Sequence, residues 1–311
     1  MPEPAGIVSL GSILVDLAAD VPALPPRGGD VLASGGRIQV GGGFNLAAAA
    51  ARSGARCRYA APHGTGPYGD LVRAALTAEA IAVTTPPRTD GDTGWCLALV
   101  EPDAERTFVT VPGVEARLSP ADLAAARVLP GDLVAVSGYD LCYPGSGPVL
   151  EDWLAGLDAR VLLDPGPLVA EIPPRRLDLV LSRLTVLTLN RREAALLVGP
   201  VADDRALLAG LRERLPRAAL VVLRIGDAGC LAAGGELGDE TLALDAPAVT
   251  AVDTTGAGDT HTGVLLAGLA RGDDPEAVLT RANAAASYSV TRRGPATAPT
   301  TAELDRWLAA R

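Results

Sequence analysis

The sequence contains no lysine, and all 27 of its basic residues are arginines. A Walker A phosphate-binding loop requires a lysine, and so does catalysis through a Schiff base, so both mechanisms are excluded. Positive charge is also in deficit, because the net charge is −10 and the isoelectric point is about 4.8. An acidic chain repels phosphate backbones and anionic lipids, so we expect neither nucleic acid nor a membrane as a partner.

Cysteines are few, and long apolar runs are missing. The four cysteines are widely spaced and form no Cys-x-x-Cys pair, which predicts buried free thiols in a reducing compartment. The first residues lack the basic and apolar regions of a secretory signal, and no apolar stretch approaches the length of a membrane span. These features predict a cytoplasmic protein.

The residues that are present favour an α/β fold. Hydrophobic residues make up 48% of the chain, which is ample for a large core. Strands are predicted at 133–137, 161–164, 184–189 and 219–225, with helices at 148–157 and 203–215. Alternation of this kind predicts a mostly parallel sheet with helices on both faces, and we expect residues 1–311 to form a single domain.

A second, smaller sheet is predicted from two segments earlier in the chain. Residues 93–111 alternate between apolar and polar types on either side of a polar turn, which is typical of a β-hairpin. Residues 31–40 alternate more loosely, as an edge strand does. The smaller sheet is therefore expected to be built from about residues 13–40 and 93–113.

The strongest local signal is the run DTTGAGDT at residues 253–260. It follows an apolar, strand-like run at 246–252 and precedes apolar residues at helical spacing, so it predicts a strand, a glycine turn and a helix. Gly256 and Gly258 allow close approach of the backbone, and the free first amides of a helix attract a phosphoryl group. Asp259 would take a proton from a hydroxyl that attacks this phosphate, or would only cap the helix.

A second glycine run, GGGFN at residues 41–45, opens an alanine-rich helix. Its glycines let the backbone approach a ligand, and Asn45 can both donate to and accept from a pair of hydroxyls. The alternative is a flexible turn in which Asn45 caps the helix.

Two loops follow predicted strands, at the sheet edge where ligands of open α/β sheets collect. Glu193 begins a helix three residues after Asn190, and we expect its side chain to be exposed. It would hold a hydrated Mg²⁺ on nucleotide phosphates, or would only complete a capping box. The run RIGDAG at residues 224–229 offers backbone donors to phosphates, or forms only a hairpin. A helix predicted at 281–290 contains Asn283.

The run GTGPYG at residues 64–69 matches the G-x-G-x-x-G fingerprint of dinucleotide-binding proteins. Its context is poor, because residues 56–62 carry two arginines and a proline where a buried strand is required, and Pro67 lies inside the turn. The fingerprint also normally closes the first strand of its domain. A Rossmann-type oxidoreductase therefore stays an alternative of a different class.

Taken in order, these motifs resemble those of the ribokinase family, also called the PfkB carbohydrate kinases, from Gly11 to about Pro299. Residues 253–260 look like the highly specific C-terminal signature of the family, and residues 41–47 look like its N-terminal signature. The resemblance implies a ribokinase-like, Rossmann-type sandwich, with the mostly parallel sheet between helices and the smaller sheet as a lid. It further implies a homodimer formed through this lid.

The resemblance implies transfer of the γ-phosphate of ATP to a hydroxyl, preferably primary, of a sugar or sugar-like alcohol, with Mg²⁺ and K⁺ as cofactors. The implied catalytic residues are Asp259 as general base and, as anion hole, Gly256, Ala257 and Gly258. The implied substrate-binding residues are Asp16, Gly42, Gly43 and Asn45. The implied nucleotide-binding residues are Asn190, Glu193, Arg224, Gly226, Gly229 and Asn283. Glu193 would bind Mg²⁺ through water, and backbone carbonyls near Asp253 and Thr255 would hold K⁺.

The chain departs from the family pattern mostly near the substrate. The lysine that often follows the paired glycines is absent, and His261 stands where a phenylalanine is usual. Thr65, Gly66 and Pro67 replace a pair of acids. These departures leave the identity of the acceptor open.

Three alternative functions are also compatible with the sequence. A nucleoside kinase would need an aromatic ring to stack a base, for which the candidates are Phe44, Tyr68, Trp95 and Phe108. A phosphosugar kinase would need clustered cations, for which Arg37 and Arg106 are the obvious candidates. The third alternative is a sugar-binding regulator without turnover, and an intact Asp259 argues against it.

Overall fold

The computed structural model describes residues 5–103 and 105–311. The larger of its two sheets forms the centre of the molecule. Its strands, within these residues, are β1 (Ile7–Ser9), β4 (Cys57–Tyr59), β5 (Ala82–Val83), β8 (Leu133–Ser137), β9 (Arg160–Asp164), β10 (Val186–Asn190), β11 (Leu220–Arg224), β12 (Cys230–Ala233) and β13 (Leu242–Leu244). They lie in the order β13-β12-β11-β10-β9-β8-β1-β4-β5. Neighbours from β5 to β11 are parallel, and β12 and β13 are added antiparallel at one edge.

Helices cover both faces of this sheet, as expected for parallel strands that read as nearly continuous apolar runs. They are α1 (Gly43–Arg52), α2 (Pro67–Ala78), α3 (Pro120–Ala125), α4 (Gly138–Cys142), α5 (Ser146–Gly156), α6 (Pro174–Leu181), α7 (Arg191–Val198), α8 (Asp204–Glu213), α9 (Ala257–Arg271), α10 (Pro275–Ser289) and α11 (Thr301–Ala309). Helix α9 is buried from Thr260 to Leu269, because it packs between α1 and α10. None of the helices within the described residues is long and apolar enough to span a bilayer.

The smaller sheet is built from β2 (Ile13–Asp20), β3 (Gly35–Gly42), β6 (Trp95–Val100) and β7 (Arg106–Val111), in the order β3-β2-β6-β7. Strands β6 and β7 form the predicted antiparallel hairpin, and Ala104 in its turn lies outside the described residues. Side chains alternate between two faces of this sheet. We call the face of Asp16, Cys96 and Thr110, which lie opposite one another, the inner face. The other face is the outer face.

The predicted fold class is confirmed in both of its parts, a mostly parallel sheet with helices and a separate small sheet. The strand predicted at 133–137 is β8, and the other three predicted strands agree with β9, β10 and β11 within two residues. The two helices predicted between the strands agree equally well with α5 and α8. The helix predicted at 281–290 is the second half of α10.

The strand predicted at 246–252 is wrong, because this segment joins neither sheet. Pro247 has no N–H to give to a ladder, and β13 already forms the edge of the sheet. The amides of Val252 and Asp253 instead donate to the carbonyl of Val290, at 2.7 and 3.1 Å. The segment is therefore anchored to the end of α10, and it still delivers the chain to the start of α9.

Candidate active site

A cavity of about 410 Å³ lies between the carboxyl ends of the parallel strands and the inner face of the smaller sheet. This is the edge at which open α/β sheets bind their ligands. Among the catalytic, binding and cation-site residues implied by the sequence, those that line the cavity are Asp16, Gly42, Gly43, Asn45, Asn190, Glu193, Arg224, Thr255, Gly256, Gly258 and Asp259. The fold thus brings together residues that are more than 240 positions apart in the chain.

The turn before α9 lines this cavity through Gly256 and Gly258, whereas Ala257 between them does not line it. Gly256 is the N-cap of α9 and has φ of 74°, a left-handed conformation that favours glycine. A Cβ at this position would lie 1.9 Å from the carbonyl oxygen of Pro295, so no other residue fits. The first amides of α9 have no carbonyl partner within the helix, although that of Ala257 makes a long contact of 3.3 Å with the Thr254 carbonyl. The turn can therefore receive an anion.

Asp259 lies in the first turn of α9, and its partner comes from another helix. The Nδ2 of Asn45, in α1, donates to Oδ2 of Asp259 at 2.9 Å. Asp259 does not cap the helix, because the N-cap Gly256 is without any side-chain cap. Burial raises the pKa of Asp259 to about 6, the charge of Asp164 adds to this effect, and the bond from Asn45 opposes it. A carboxylate poised in this range can accept a proton near neutral pH.

Asp16 and the start of α1 form the opposite wall. Asp16 projects from the inner face of the smaller sheet, and burial, followed by the charge of Asp259, raises its pKa to about 6. Gly43 is required by close packing, because a Cβ there would lie 2.2 Å from the carbonyl oxygen of Gly11. The Oδ1 of Asn45 is buried and has no hydrogen-bond partner in the described part of the chain. Asp16 and Asn45 thus both offer free acceptors to hydroxyls in the cavity.

Four polar side chains gather where β9, β10 and β11 end. Arg224 donates from Nη1 to Asp164 Oδ2 at 2.7 Å and to the Gly258 carbonyl at 3.2 Å, and its Nη2 lies 3.5 Å from Glu193 Oε2. Glu193 is buried, at 5% exposure, so the expectation that it is exposed is wrong. Asn190 and Glu193 form the capping box that the sequence offered as an alternative. Glu193 nevertheless reaches the cavity, so the cap does not exclude a role toward a ligand.

Asp164 is a site residue that the sequence reasoning missed. It is the last residue of the strand predicted at 161–164. Ligands of open α/β sheets bind at the carboxyl ends of strands, so its position was the signal that could have identified it. Its carboxylate also accepts from Thr262 Oγ1 at 3.1 Å. Asp164, Glu193 and Arg224 therefore form one charged cluster, which contacts the start of α9 through the bond from Arg224 to the Gly258 carbonyl.

Ser12 and Asp140 were also missed. Ser12 lines the cavity, and its hydroxyl and amide both donate to the buried carboxylate of Asp140 at the start of α4. Burial raises the pKa of Asp140 to about 7. The Ser12 carbonyl in turn accepts from the Gly43 amide at 2.8 Å. This chain of bonds fixes the turn between β1 and β2 against the start of α1.

Asp253 lies just outside the cavity and is fully hydrogen-bonded. Its Oδ1 accepts from the amide and hydroxyl of Thr255 at 2.9 and 2.7 Å and from Arg106 Nη2 at 2.6 Å. Its Oδ2 accepts from the Gly294 amide at 3.0 Å. Burial favours the neutral acid, but the bonds from Gly294 and Thr255 together with the charge of Arg106 lower the pKa of Asp253. Because the carboxylate is occupied, a monovalent cation here would depend on backbone carbonyls, which stays a prediction.

Gly226, Gly229 and Asn283 do not line the cavity. The two glycines flank a short turn after β11, where Gly226 is exposed. Asn283 is buried in α10, and its Nδ2 donates to the carbonyl of Leu244 at 2.9 Å. A nucleotide role for these residues therefore stays a prediction. His261 is buried as well, and burial lowers its pKa to about 3, so it packs as an uncharged ring where a phenylalanine is usual.

The turn at residues 64–69 is filled by a side chain of the protein itself. The amides of Tyr68 and Gly69, at the start of α2, donate to the two carboxylate oxygens of Asp92 at 3.0 and 2.8 Å. A third bond, at 2.7 Å, joins Asp92 to the amide of Thr93. Asp92 thus takes the place that a pyrophosphate would occupy in a dinucleotide site. The glycine pattern at residues 64–69 therefore serves to bind an internal carboxylate.

Aromatic side chains form part of the cavity wall. Of the four aromatic candidates named from the sequence, Phe108 alone is among the described residues that line the cavity. Tyr139 and Tyr143 also line it. Phe44 instead belongs to the hydrophobic core. The two cationic candidates are neutralised, because Arg37 pairs with Asp20 and Arg106 pairs with Asp253.

Comparison with known proteins places this geometry in a family context. The profile of the pfkB family carbohydrate kinases matches residues 5–302. An uncharacterised sugar kinase, YegV, of Escherichia coli K12 is 35% identical over 306 residues, which cover 96% of this chain and 92% of the relative. The ribokinase of Thermotoga maritima has a similar structure, with a TM-score of 0.83 at 24% identity over 99% of this chain and 100% of the other. Arabidopsis thaliana ribokinase complexed with ribose and ATP has a TM-score of 0.79 at 23% identity over 98% of each chain.

Proposed function

The chain belongs to the pfkB family of carbohydrate kinases, which transfer phosphate to an alcohol group, and we propose that it transfers the γ-phosphate of ATP to a primary hydroxyl of a small sugar or sugar-like alcohol. We propose that residues 1–311 act as one catalytic unit with the smaller sheet as its lid. The acceptor would lie beneath the inner face of this sheet, and ATP would lie along the carboxyl ends of β9, β10 and β11.

The observation that carries this proposal is the pairing of Asp259 with the α9 turn. A carboxylate beside a phosphate site is unfavourable unless it has a chemical role, and here it lies in the first turn of the helix whose N-terminal glycines line the cavity. Asp259 would accept the proton of the attacking hydroxyl, while the amides at Gly256, Ala257 and Gly258 would stabilise charge on the transferred group. The bond from Asn45 holds one oxygen of Asp259 in place and leaves the other for the acceptor.

The donor side suits a nucleotide phosphate carried with a hydrated metal ion. No group of three or more metal-ligating side chains occurs among the described residues, which agrees with an ion that keeps its water and binds mainly to phosphates. Mg²⁺ would neutralise phosphate charge there, with Asp164, Asn190 and Glu193 as the residues that hold its water shell. Arg224 would limit the repulsion between these carboxylates and the phosphates. Gly226, Gly229 and Asn283 would flank the rest of the nucleotide.

Asp16, Asn45, Gly42 and Gly43 would hold the acceptor. Asp16 can accept from two neighbouring hydroxyls, and Asn45 presents an unpaired acceptor beside it. A nucleoside is the second candidate, and the observation that favours it is the aromatic wall of Phe108, Tyr139 and Tyr143, on which a base would stack.

A screen for ADP release tests the function. The purified protein would be incubated with MgATP and a panel of pentoses, hexoses, keto-deoxy acids and nucleosides. The proposal expects Mg²⁺-dependent ADP release with a neutral sugar or a nucleoside, above the rate without acceptor. Tight sugar binding without ADP release would favour the regulator, and bound nicotinamide detected by absorbance would revive the oxidoreductase.

Potassium and self-association complete the proposal. We expect K⁺ to raise turnover more than Na⁺ through backbone carbonyls near Asp253 and Thr255, and equal rates in the two salts would remove this cation site.

We further propose a homodimer through the outer face of the lid. One cross-strand row on this face consists of Ile38, Leu17, Leu97 and Val109. Ile38 and Val109 are 65% and 53% exposed, which supports a covering partner. Sedimentation of the parent and of Ile38→Asp checks this.

A cytoplasmic location is proposed from the cysteines. Cys57, Cys96, Cys142 and Cys230 are all free thiols. Burial raises the pKa of Cys57 to about 12 and that of Cys230 to about 11, so both are unreactive. A reducing compartment suits such a chain.

A further inference from the structure

The far end of the smaller sheet contacts the turn before α9. Arg106 begins β7 and lies on the same face of that strand as Phe108 and Thr110, which line the cavity. Its Nη2 donates to Asp253 Oδ1 at 2.6 Å, and the two side chains are only 21% and 18% exposed. The inner face of β7 therefore lines the cavity with Phe108 and Thr110, and Arg106 on the same face binds Asp253 of the larger part of the molecule.

Asp253 connects this contact to the turn. The oxygen that accepts from Arg106 also accepts from the amide and the hydroxyl of Thr255, which immediately precedes the N-cap Gly256. The other oxygen accepts from Gly294, next to the Pro295 carbonyl against which Gly256 packs. A single carboxylate thus holds the smaller sheet, the α9 turn and the segment after α10.

A second arginine at the same end of the sheet provides a contrast. Arg37 makes two bonds, at 2.8 and 2.9 Å, with Asp20 of the neighbouring strand. Both hydrogen bonds stay within the smaller sheet, although the charge of Arg37 also acts on Asp253. Arg106, in contrast, reaches the larger part of the molecule, 147 residues further along the chain.

We propose that the ion pair between Arg106 and Asp253 couples closure of the smaller sheet to the geometry of the α9 turn, which makes Arg106 a positioning residue for phosphoryl transfer. While Arg106 is in place, Asp253 is fixed and holds Thr255, so the amides that follow stay directed at the cavity. When the sheet lifts, Asp253 loses its charged donor and the turn loosens. The turn is then complete only under a closed lid, which also excludes water. The inference rests on the proposed kinase function for its catalytic consequence, whereas the coupling itself is independent of it.

Hydrogen exchange measured without any substrate tests the coupling. The parent, Arg106→Gln and the matched lid control Arg37→Gln would be compared. In Arg106→Gln, amide exchange should rise roughly tenfold both in residues 95–111 and in residues 254–258, the lower end of what a hydrogen bond between charged groups contributes. Arg37→Gln should raise exchange in β2 and β3 and change exchange in residues 254–258 far less than Arg106→Gln does, because Arg37 acts on Asp253 only through its charge.

Two exchange results would overturn the inference. Faster exchange in residues 95–111 with an unchanged α9 turn would make Arg106 an anchor of the lid without coupling. Unchanged exchange in both segments would mean that the ion pair has no effect in solution. Arg106→Lys keeps the charge and should restore most of the protection. If Arg106→Gln does not fold, Arg106→Met takes its place with the same expected result, because it keeps a long unbranched side chain without the charge.

Steady-state kinetics add a readout that a purely structural role would not move. D-ribose is the first acceptor to be used, followed by any acceptor that releases ADP in the screen. Arg106→Gln should lower kcat/KM for the acceptor roughly tenfold, while the affinity for ADP, which lacks the transferred phosphate, stays parental. Equal losses for the acceptor and for ADP would contradict the inference. If no acceptor is turned over by the parent, the kinase proposal fails, and hydrogen exchange still decides the coupling.

Discussion

The turns at residues 64–69 and 253–259 both place glycines ahead of a helix, but their amides meet different partners. At the first turn, the amides of Tyr68 and Gly69 donate to the carboxylate of Asp92. At the second, the helix has no side-chain cap, and Gly256 and Gly258 line the cavity. The acid of the second turn, Asp259, points to Asn45 and the cavity instead of to the amides.

This difference teaches that a glycine pattern predicts the shape of a turn, whereas the partner of its amides decides its function. An internal carboxylate satisfies the helix N-terminus and turns a potential anion site into a structural joint. A carboxylate held away from the amides leaves them for a phosphate and becomes available as a base. The predictions below separate the two turns by substituting the acid that belongs to each.

The largest effect is expected from Asp259→Asn. Asparagine keeps the size of the side chain but cannot accept the proton of the attacking hydroxyl, so kcat should fall roughly 10²–10⁴-fold, the usual range for loss of a general base. The free energy of unfolding at pH 7 should not fall, because the variant removes a partly buried carboxylate whose pKa is raised by burial. Turnover and melting temperature would be measured on one preparation. Parental turnover in the folded variant would contradict the role of Asp259.

The pH dependence of the rate should show the same acid. Burial raises the pKa of both Asp259 and Asp16 to about 6. Turnover requires both ionised forms, so well below pH 6 it should fall roughly a hundredfold per pH unit, tenfold for each carboxylate. Stability should respond in the opposite direction. The folded state keeps protons that the unfolded state releases between about pH 4 and 6, so these two groups stabilise the protein as the pH falls through that window.

The control for this prediction is Asp259→Asn, whose melting temperature should depend less on pH than that of the parent. An acidic limb of the rate profile centred near pH 4 would show that neither carboxylate is perturbed during turnover.

A smaller effect, on stability more than on rate, is expected from Asp92→Ala. The substitution leaves the amides of Tyr68, Gly69 and Thr93 without their partner, which should lower the free energy of unfolding by about 1–3 kcal/mol. Denaturant unfolding would measure this, with Asp92→Asn as the control that retains one acceptor. Turnover should stay near the parental value. Loss of activity without loss of stability would mean that the two turns had been assigned the wrong way round.

The smallest effect is expected from Glu193→Gln, at the start of α7, where one carboxylate both caps a helix and lines the cavity. Glu193 caps α7 together with Asn190 and also lines the cavity. Glu193→Gln can keep the cap but loses the charge toward Mg²⁺ and Arg224, so the Mg²⁺ concentration for half-maximal rate should rise a few-fold. If Glu193→Gln matches the parent at limiting Mg²⁺, Glu193 is only a cap.

Much of the fold was predictable from the sequence, because its strands and helices are encoded by local periodicity. Strand β8 was predicted with its observed bounds, and the smaller sheet was predicted from the hairpin at 93–111. The strand at 246–252 was mispredicted because an apolar extended segment does not reveal whether a sheet partner is available. The start of α10 at Pro275, after the cap Asp274, carried a recognisable signal that was overlooked.

The candidate site was predictable only where chemistry is concentrated in one motif. Asp259 and its glycines stand together in the sequence, whereas Arg106 with Asp253 and Asp164 with Arg224 are contacts between distant segments. Asp92 lies more than 20 residues after the turn that it fills, so the sequence could not show that the fingerprint at 64–69 was already satisfied. Long-range partners of backbone amides depend on the tertiary fold, and local patterns do not encode them.

The most direct test of the account is an amide NMR titration of the isotope-labelled protein with the magnesium complex of a non-hydrolysable ATP analogue. The account predicts chemical-shift changes at the amides of Gly256, Ala257 and Gly258 and unchanged signals at Tyr68 and Gly69, whose amides are held by Asp92. Changes at Tyr68 and Gly69 with none at residues 256–258 would contradict the assignment of the phosphate site to the α9 turn.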